Sequence, residues 1–112
     1  MEKLTHIPDE AMADAADAAA SVMRVLSNPA RLRLLCALVG ADRTVGELEE
    51  VLGAPQAYVS GQLARLRAEG LVVAEREGRQ IRYRLSDPRV TPVLERLFEV
   101  FCPADAALLT ES

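Results

Sequence analysis

The chain has 112 residues, half of them apolar, with two Phe, two Tyr, no Trp and a net charge of −4. That length suits one compact domain, in which folding removes roughly 65% of the unfolded chain's surface from water and leaves a lone copy only modestly stable. No run nears the ~20 apolar residues of a bilayer span, because Arg24, Arg31, Arg33, Asp42 and Arg43 interrupt the richest region. Residues 1–10 also lack a signal peptide's apolar segment, so the expected location is the cytoplasm.

Residues 9–26 predict an alanine-rich helix that ends in Val22, Val25 and Leu26. Ser27 and Asn28 stop it, and Pro29 opens the next helix where a missing N–H costs nothing. There Leu32, Leu35, Cys36 and Val39 recur at i, i+3, i+4 and i+7 as the expected buried stripe, and Gly40 ends it. Thr44-Val45-Gly46-Glu47 has the form of a capping box for a short helix that runs through Leu52 to a stop at Gly53. Pro55 is expected to open a further helix with Val59, Leu63 and Leu66 facing the core, closed by Gly70. The period then changes to extended. Leu71-Val72-Val73-Ala74 and Ile81-Arg82-Tyr83-Arg84-Leu85 flank Arg76-Glu77-Gly78-Arg79, which predicts a β-hairpin. Ser86-Asp87-Pro88 is expected to cap a last helix with a wide stripe of Val90, Val93, Leu94, Leu97, Phe98 and Phe101. Cys102 stands at the edge of that stripe, and Pro103 interrupts the helix.

The expected order is α-α-α-α-β-β-α, mainly α with a small β-hairpin (α+β), as one domain over 1–112 with looser ends at 1–8 and 104–112. A short capped helix, a glycine turn, a longer helix and an arginine-bearing hairpin together make a winged helix-turn-helix. Charge distribution fits such a unit. Residues 53–86 hold six Arg and three Glu, a local +3, while the remainder carries −7. A basic segment on an acidic body presents one face to phosphate and repels it elsewhere.

The major groove admits one α-helix. With Val59, Leu63 and Leu66 committed to the core, Gln56, Ser60, Gly61 and Ala64 fall on an exposed flank, with Tyr58, Gln62 and Arg65 beside them. Gln56 and Gln62 have the chemistry to pair with a base edge, and Ser60 to serve a base or a phosphate. Arg65 and Arg67 suit the DNA backbone, and Arg76, Arg79 and Arg82 a neighbouring minor groove or phosphate row. Gly61 stands out, because a glycine inside a helix costs roughly 1 kcal/mol against Ala; close approach to DNA is one reason to have it. Winged helices also serve as protein-interaction modules, usually with a less polar second helix and a less basic hairpin. No enzyme chemistry presents itself: there is no Ser/His/acid set and no phosphate loop, and 65 residues separate the two Cys where a catalytic dithiol favours Cys-x-x-Cys.

Ser27-Asn28-Pro29-Ala30-Arg31-Leu32-Arg33-Leu34-Leu35 resembles the second-helix signature of the ArsR/SmtB family of repressors. Val45-Gly46-Glu47-Leu48, Val59-Ser60-Gly61-Gln62-Leu63-Ala64-Arg65-Leu66-Arg67 and Glu69-Gly70-Leu71-Val72 are similar to its helix-turn-helix. Gly78-Arg79-Gln80-Ile81-Arg82-Tyr83-Arg84-Leu85 is similar to its wing. The resemblance spans about residues 20 to 102. It implies a homodimer joined through the first and last helices, binding double-stranded DNA at a palindromic operator and released by an inducer.

Many members of that family sense metals, and this chain departs from their pattern. Val45, Glu47 and Leu48 stand where the arsenic and cadmium site has paired Cys. Pro88, Arg89 and Val100 stand where the last-helix zinc site has donors besides an Asp such as Asp87, and the one His is His6, near the start of the chain. Two distant Cys and one His make a poor tetrahedral set, so no metal and no cofactor is expected. By spacing alone, Cys36 and Cys102 are most simply two small buried hydrophobes. Their placement resembles the dithiol branch of the family, which implies a switch responding to persulfides and polysulfides, or to peroxide and other oxidants. In that reading the reduced dithiol binds DNA and a Cys36–Cys102 bridge releases it. A plain disulfide needs Cα atoms roughly 4.4–6.8 Å apart, and a longer sulfur chain spans a wider gap. Arg33 is the nearest cation in sequence to Cys36, and no role is assigned to it.

Overall fold

Local chemistry sets the helix boundaries in the computed structural model, which describes residues 7–102. Helix α1 (Asp9–Leu26) is followed after two residues by α2 (Pro29–Ala37), where the Asn28 side chain accepts from the Arg31 N–H at 3.0 Å and Pro29 takes the first helical position. Helix α3 (Val45–Leu52) starts on the expected capping box. The Glu47 N–H donates to the Thr44 hydroxyl at 3.2 Å, and the Thr44 N–H donates to the Glu47 carboxylate at 2.8 Å. Gly53 ends α3 at φ 61°, a left-handed turn that leads directly into α4 (Gln56–Ala68). Pro55, expected to open α4, precedes it as the extended N-cap, and its carbonyl accepts from the Val59 N–H at 3.1 Å.

The hairpin is longer than expected. Strand β2 (Val72–Glu77) pairs antiparallel with β3 (Gln80–Leu85) from Val72 opposite Leu85 to Glu77 opposite Gln80. The loop is therefore only Gly78 and Arg79, with Gly78 at φ 64°, the first central position at which a tight hairpin of this length needs glycine. A third strand was not anticipated: β1 (Arg43–Thr44) adds to the other edge of β3, giving the order β1-β3-β2 with Thr44 opposite Arg82. Two residues offer no periodicity, so only the fold reveals this strand. The cap before α5 (Val90–Phe101) is likewise different. Asp87 Oδ1 accepts from the N–H and Nε of Arg89, at 2.9 and 3.0 Å, and no side chain caps the helix. Ser86 turns away to donate to the Gly70 carbonyl at 2.9 Å. The expected loose ends, apart from Ile7 and Pro8, and the interruption at Pro103 lie outside the described residues.

The core joins all these elements. Leu34 and Leu35 of α2, Leu48 of α3, and Val59, Leu63 and Leu66 of α4 have no exposed surface, and Val72, Tyr83, Val90 and Leu94 close the cluster from the sheet and α5. The stripe of α2 is displaced from its expected position. Leu34, Leu35 and Leu38 are buried, while Leu32, Cys36 and Val39 are half-buried at its margin, because α2 packs on α3 and α4 together. Two helices are left under-covered. Only Val25 and Leu26 of α1 are buried, and on α5 Phe98, Val100 and Phe101 are 44%, 59% and 77% exposed. Among the described residues, no helix is long and apolar enough to cross a membrane.

Among the described residues Thr44 is the one buried polar residue, and Glu47 depends on it. The N–H and hydroxyl of Thr44 hold the Glu47 carboxyl below its ordinary value, with Arg82 and Arg43 adding to the effect. A carboxyl depressed on folding contributes stability above its unfolded pKa, near 4.3, and loses it as pH falls through the lower folded value. Replacing Thr44 with Ala is expected to destabilise the fold by about 1 kcal/mol at pH 7. Chemical denaturation should show the gap between the two proteins narrowing below pH 4.

Candidate nucleic-acid interface and dithiol site

Burial of Val59, Leu63 and Leu66 turns the opposite side of α4 to solvent. Along the helix Gln56, Gly61, Arg65 and Arg67 are exposed, and Ser60 is half-buried. A Cβ placed on Gly61 would meet nothing within 4 Å. The fold itself therefore does not ask for glycine at this position. Arg65 makes an exposed ion pair with Glu69 one turn on, at 3.6 Å. Tyr58, 46% exposed, lines a shallow cleft with Asn28, Leu52 and Ala54 at the start of α2.

Gln62 behaves differently from its neighbours. It is half-buried, and its Oε1 accepts from Arg31 Nη1 at 3.3 Å. Arg31 also donates through Nε to the Val25 carbonyl at 2.8 Å, so one guanidinium ties the end of α1 and the middle of α4 to α2. This contact escaped the sequence reading, which saw Gln62 only as an outward-facing amide. Its amide oxygen is engaged internally, which leaves the NH₂ group as its free polar end.

On the hairpin, Arg76 and Arg79 are exposed and make no ion pair among the described residues, whereas Arg82 pairs with Glu77 at 3.0 Å and Arg84 with Glu75 at 3.0 Å. Alternation along β3 holds for Tyr83, which is buried, and Leu85, half-buried; Ile81 is 39% exposed because the strand has run past the core by that point.

Cys36 and Cys102 are free thiols, both half-buried, and the fold brings them within electrostatic reach of each other. Burial, and then the neighbouring Cys102, push the Cys36 thiol up to about 11. Arg33, the nearest cation in sequence, does not act on this thiol; its guanidinium donates to the Val51 carbonyl on α3. Beside Cys102, the side chains of Leu32, Leu97, Phe98 and Phe101 line a cleft of ≈ 370 Å³ between α2 and α5. Among the described residues no group of three or more His, Cys, Asp and Glu could hold a metal ion, and His6 lies outside them.

Residues 28–73 match the arsR family of bacterial regulatory proteins. The chain is 39% identical over 103 residues to the biofilm growth-associated repressor of Agrobacterium fabrum, covering 92% of this chain and 88% of that one. The chain belongs to the arsR family. Its fold agrees with the crystal structure of the transcriptional repressor BigR from Xylella fastidiosa, with a TM-score of 0.81 at 37% identity over 87% of this chain and 99% of BigR. A homodimeric winged helix-turn-helix DNA-binding domain from Mycobacterium bovis is similar at a TM-score of 0.69 and 30% identity, covering 92% of each chain. An arsR-family chain is a regulatory protein and not an enzyme, in keeping with the sequence reading.

For this arsR-family regulator, the raised Cys36 pKa has a measurable consequence. The thiolate is the reactive form, so in a Cys102→Ser variant, which loses the Cys102 contribution but keeps the larger one from burial, alkylation of Cys36 should keep accelerating beyond pH 9. In the urea-unfolded chain the rate should level off near the ordinary thiol value of about 8.5. Iodoacetamide labelling read by intact mass distinguishes the two curves.

Proposed function

We propose that the protein is a cytoplasmic, single-domain homodimeric repressor that binds a palindromic operator and releases it when Cys36 and Cys102 are bridged by reactive sulfur. The reading is supported by two half-buried free cysteines, Cys36 on α2 and Cys102 at the end of α5, close enough for one to influence the other electrostatically, on a fold that also presents a solvent-exposed helix and an arginine hairpin. The homodimeric relative from Mycobacterium bovis supports the assembly. On this reading α1 and α5 bury their apolar surface against a second copy, as the ≈ 290 Å³ cleft between Ala15, Ala19, Met23 and Val93 suggests.

Each recognition helix α4 then enters a major groove, Gln56 and Ser60 reach base edges, and Arg65 and Arg67 hold phosphate. The amide NH₂ of Gln62 serves a base acceptor while Arg31 fixes its other end. Tyr58 packs at the rim of the groove. Arg76 and Arg79 reach the adjacent minor groove, with Arg82 exchanging Glu77 for a phosphate. Gly61 lets the helix backbone approach the DNA, so Gly61→Ala is expected to stabilise the protein by up to about 1 kcal/mol while weakening operator binding. Denaturation and fluorescence anisotropy of the one variant should therefore move in opposite directions.

Release follows from a balanced exchange. One thiol attacks the outer sulfur of a persulfide R–S–SH, giving protein–S–SH and R–SH. The second thiol then displaces H₂S from that group and closes the bridge. Both cysteine sulfurs are oxidised, and the transferred sulfur is reduced to H₂S. A bridge between α2 and α5 shifts α2 against Arg31 and thus against α4, and half-sites one helical turn apart tolerate little displacement. Peroxide would close the same bridge as a disulfide with loss of water.

The test is anisotropy with the promoter fragment upstream of the protein's own gene, before and after glutathione persulfide, read beside intact mass. The expected result is a loss of affinity of about tenfold or more, together with a Cys36–Cys102 link, and no loss in either Cys→Ser variant. Undiminished binding by the bridged protein would overturn the switch.

A further inference from the structure

We propose that Arg31 makes Gln62 a reader of guanine rather than adenine, by holding its amide in one orientation. This rests on the reading of α4 as the helix that meets DNA, proposed above, and names the base that one of its side chains takes.

A free glutamine suits adenine, because its two amide ends serve together: the NH₂ donates to N7 and the oxygen accepts from the N6 amino group. Gln62 is not free. Its Oε1 accepts from Arg31 Nη1 at 3.3 Å. A guanidinium has donors and no acceptor, so the oxygen and never the NH₂ can face it. Arg31 is itself held in place. Its backbone N–H donates to Asn28 Oδ1 at 3.0 Å, its Nε donates to the Val25 carbonyl at 2.8 Å, and the residue is half-buried. Rolling the Gln62 amide over would set its NH₂ against a cation already fixed on two sides.

The NH₂ of Gln62 has no protein partner among the described residues, and no buried side-chain nitrogen or oxygen there lacks one, so this group meets solvent. Gly61, the preceding residue, is exposed, and a Cβ there would meet nothing within 4 Å, which leaves room for a base edge. What Gln62 offers is therefore a pair of N–H donors without the matching acceptor. Guanine alone presents two adjacent acceptors in the major groove, N7 and O6. Adenine sets an amino donor beside its N7, cytosine presents only a donor, and thymine has O4 beside a methyl group. The charge on Arg31 also polarises the amide, which strengthens its N–H donors. Arg31 itself need touch no base; it acts as a positioning residue.

The experiment selects DNA with the full chain from a pool of randomised duplexes, for the wild type and three variants. Gln62→Ala locates the base pair that Gln62 reads, as the one whose preference it abolishes. At that pair the wild type should favour guanine over adenine by about tenfold, measured by anisotropy on duplexes that differ there alone. Arg31→Met keeps an apolar stem and removes the donor, so adenine should be admitted beside guanine while the rest of the selected sequence is unchanged. Gln62→Glu keeps an acceptor for Arg31 and has no NH₂, so the preference should pass to cytosine, whose N4 amino group donates. A selected sequence with no pair that depends on Gln62, adenine favoured there by the wild type, or guanine kept alone by a folded Arg31→Met would each overturn the inference, while DNA reading by α4 stands. Should Arg31→Met fail to fold, guanine giving way to cytosine in Gln62→Glu supports the inference and any other result overturns it. A wild type that selects no sequence at all overturns the reading of α4, and this inference with it.

Discussion

Burial of Val59, Leu63 and Leu66 on one side of α4 is the constraint from which the rest of the site follows. The three recur at helical spacing and meet Leu34, Leu35 and Leu48, all without exposed surface. Turning α4 by one residue would return them to water at roughly 1.5–3 kcal/mol each. A typical side-chain hydrogen bond contributes only about 0.5–1.5 kcal/mol net. Packing therefore decides how the helix is rolled, and the polar residues accept the positions left over. Gln62 shows the consequence: it sits at the seam where α4 meets α2, and its amide has been drawn to Arg31 rather than left to solvent.

Features held by neighbours in sequence were legible before the fold was known. The Thr44–Glu47 box, Pro29 at a helix start, Gly53 between α3 and α4 and Gly78 in the hairpin each act within a few residues. The exposed face of α4 was legible by subtraction, once three core positions were assigned. What failed had a long-range cause. Strand β1 exists only because Arg43 and Thr44 meet Tyr83 and Arg82. The stripe of α2 moved to Leu34 because α3 and α4 cover it together, with α1 beside them. Asp87 looked like a cap and instead closed a turn on Arg89. The electrostatic influence of Cys102 on Cys36 likewise depends on the fold, since 65 residues separate them in sequence.

Charge on the hairpin is less free than the composition suggests. Two of its arginines face glutamates across the strands, and two do not. Exposed pairs of this kind contribute between nothing and about 1 kcal/mol, so they yield readily to a stronger anion. Glu75 and Glu77 then act as a weak brake on contact with any phosphate, and Arg76 and Arg79 at the tip remain the first to meet one. A strip of this kind favours encounter without holding every polyanion tightly, which suits a protein whose body carries the opposite charge.

In the proposed switch, an event at a thiol has to be felt on α4. Cys36 lies little more than one turn beyond Arg31 on α2, and a helix transmits displacement over that distance almost rigidly. Arg31 in turn spans the Val25 carbonyl and Gln62. A covalent link from α2 to α5 acts on the element that already holds α1 and α4 in register. Coupling between distant sites typically amounts to about 1–3 kcal/mol, or 5- to 150-fold in affinity. Loss of one such hydrogen bond, with a phosphate contact or two in one half-site, is enough to reach that range. The proposed switch would therefore need no large rearrangement of the core: a small shift of α2 would suffice, because the face of α4 proposed to read DNA is set by packing and tied to α2 through Arg31.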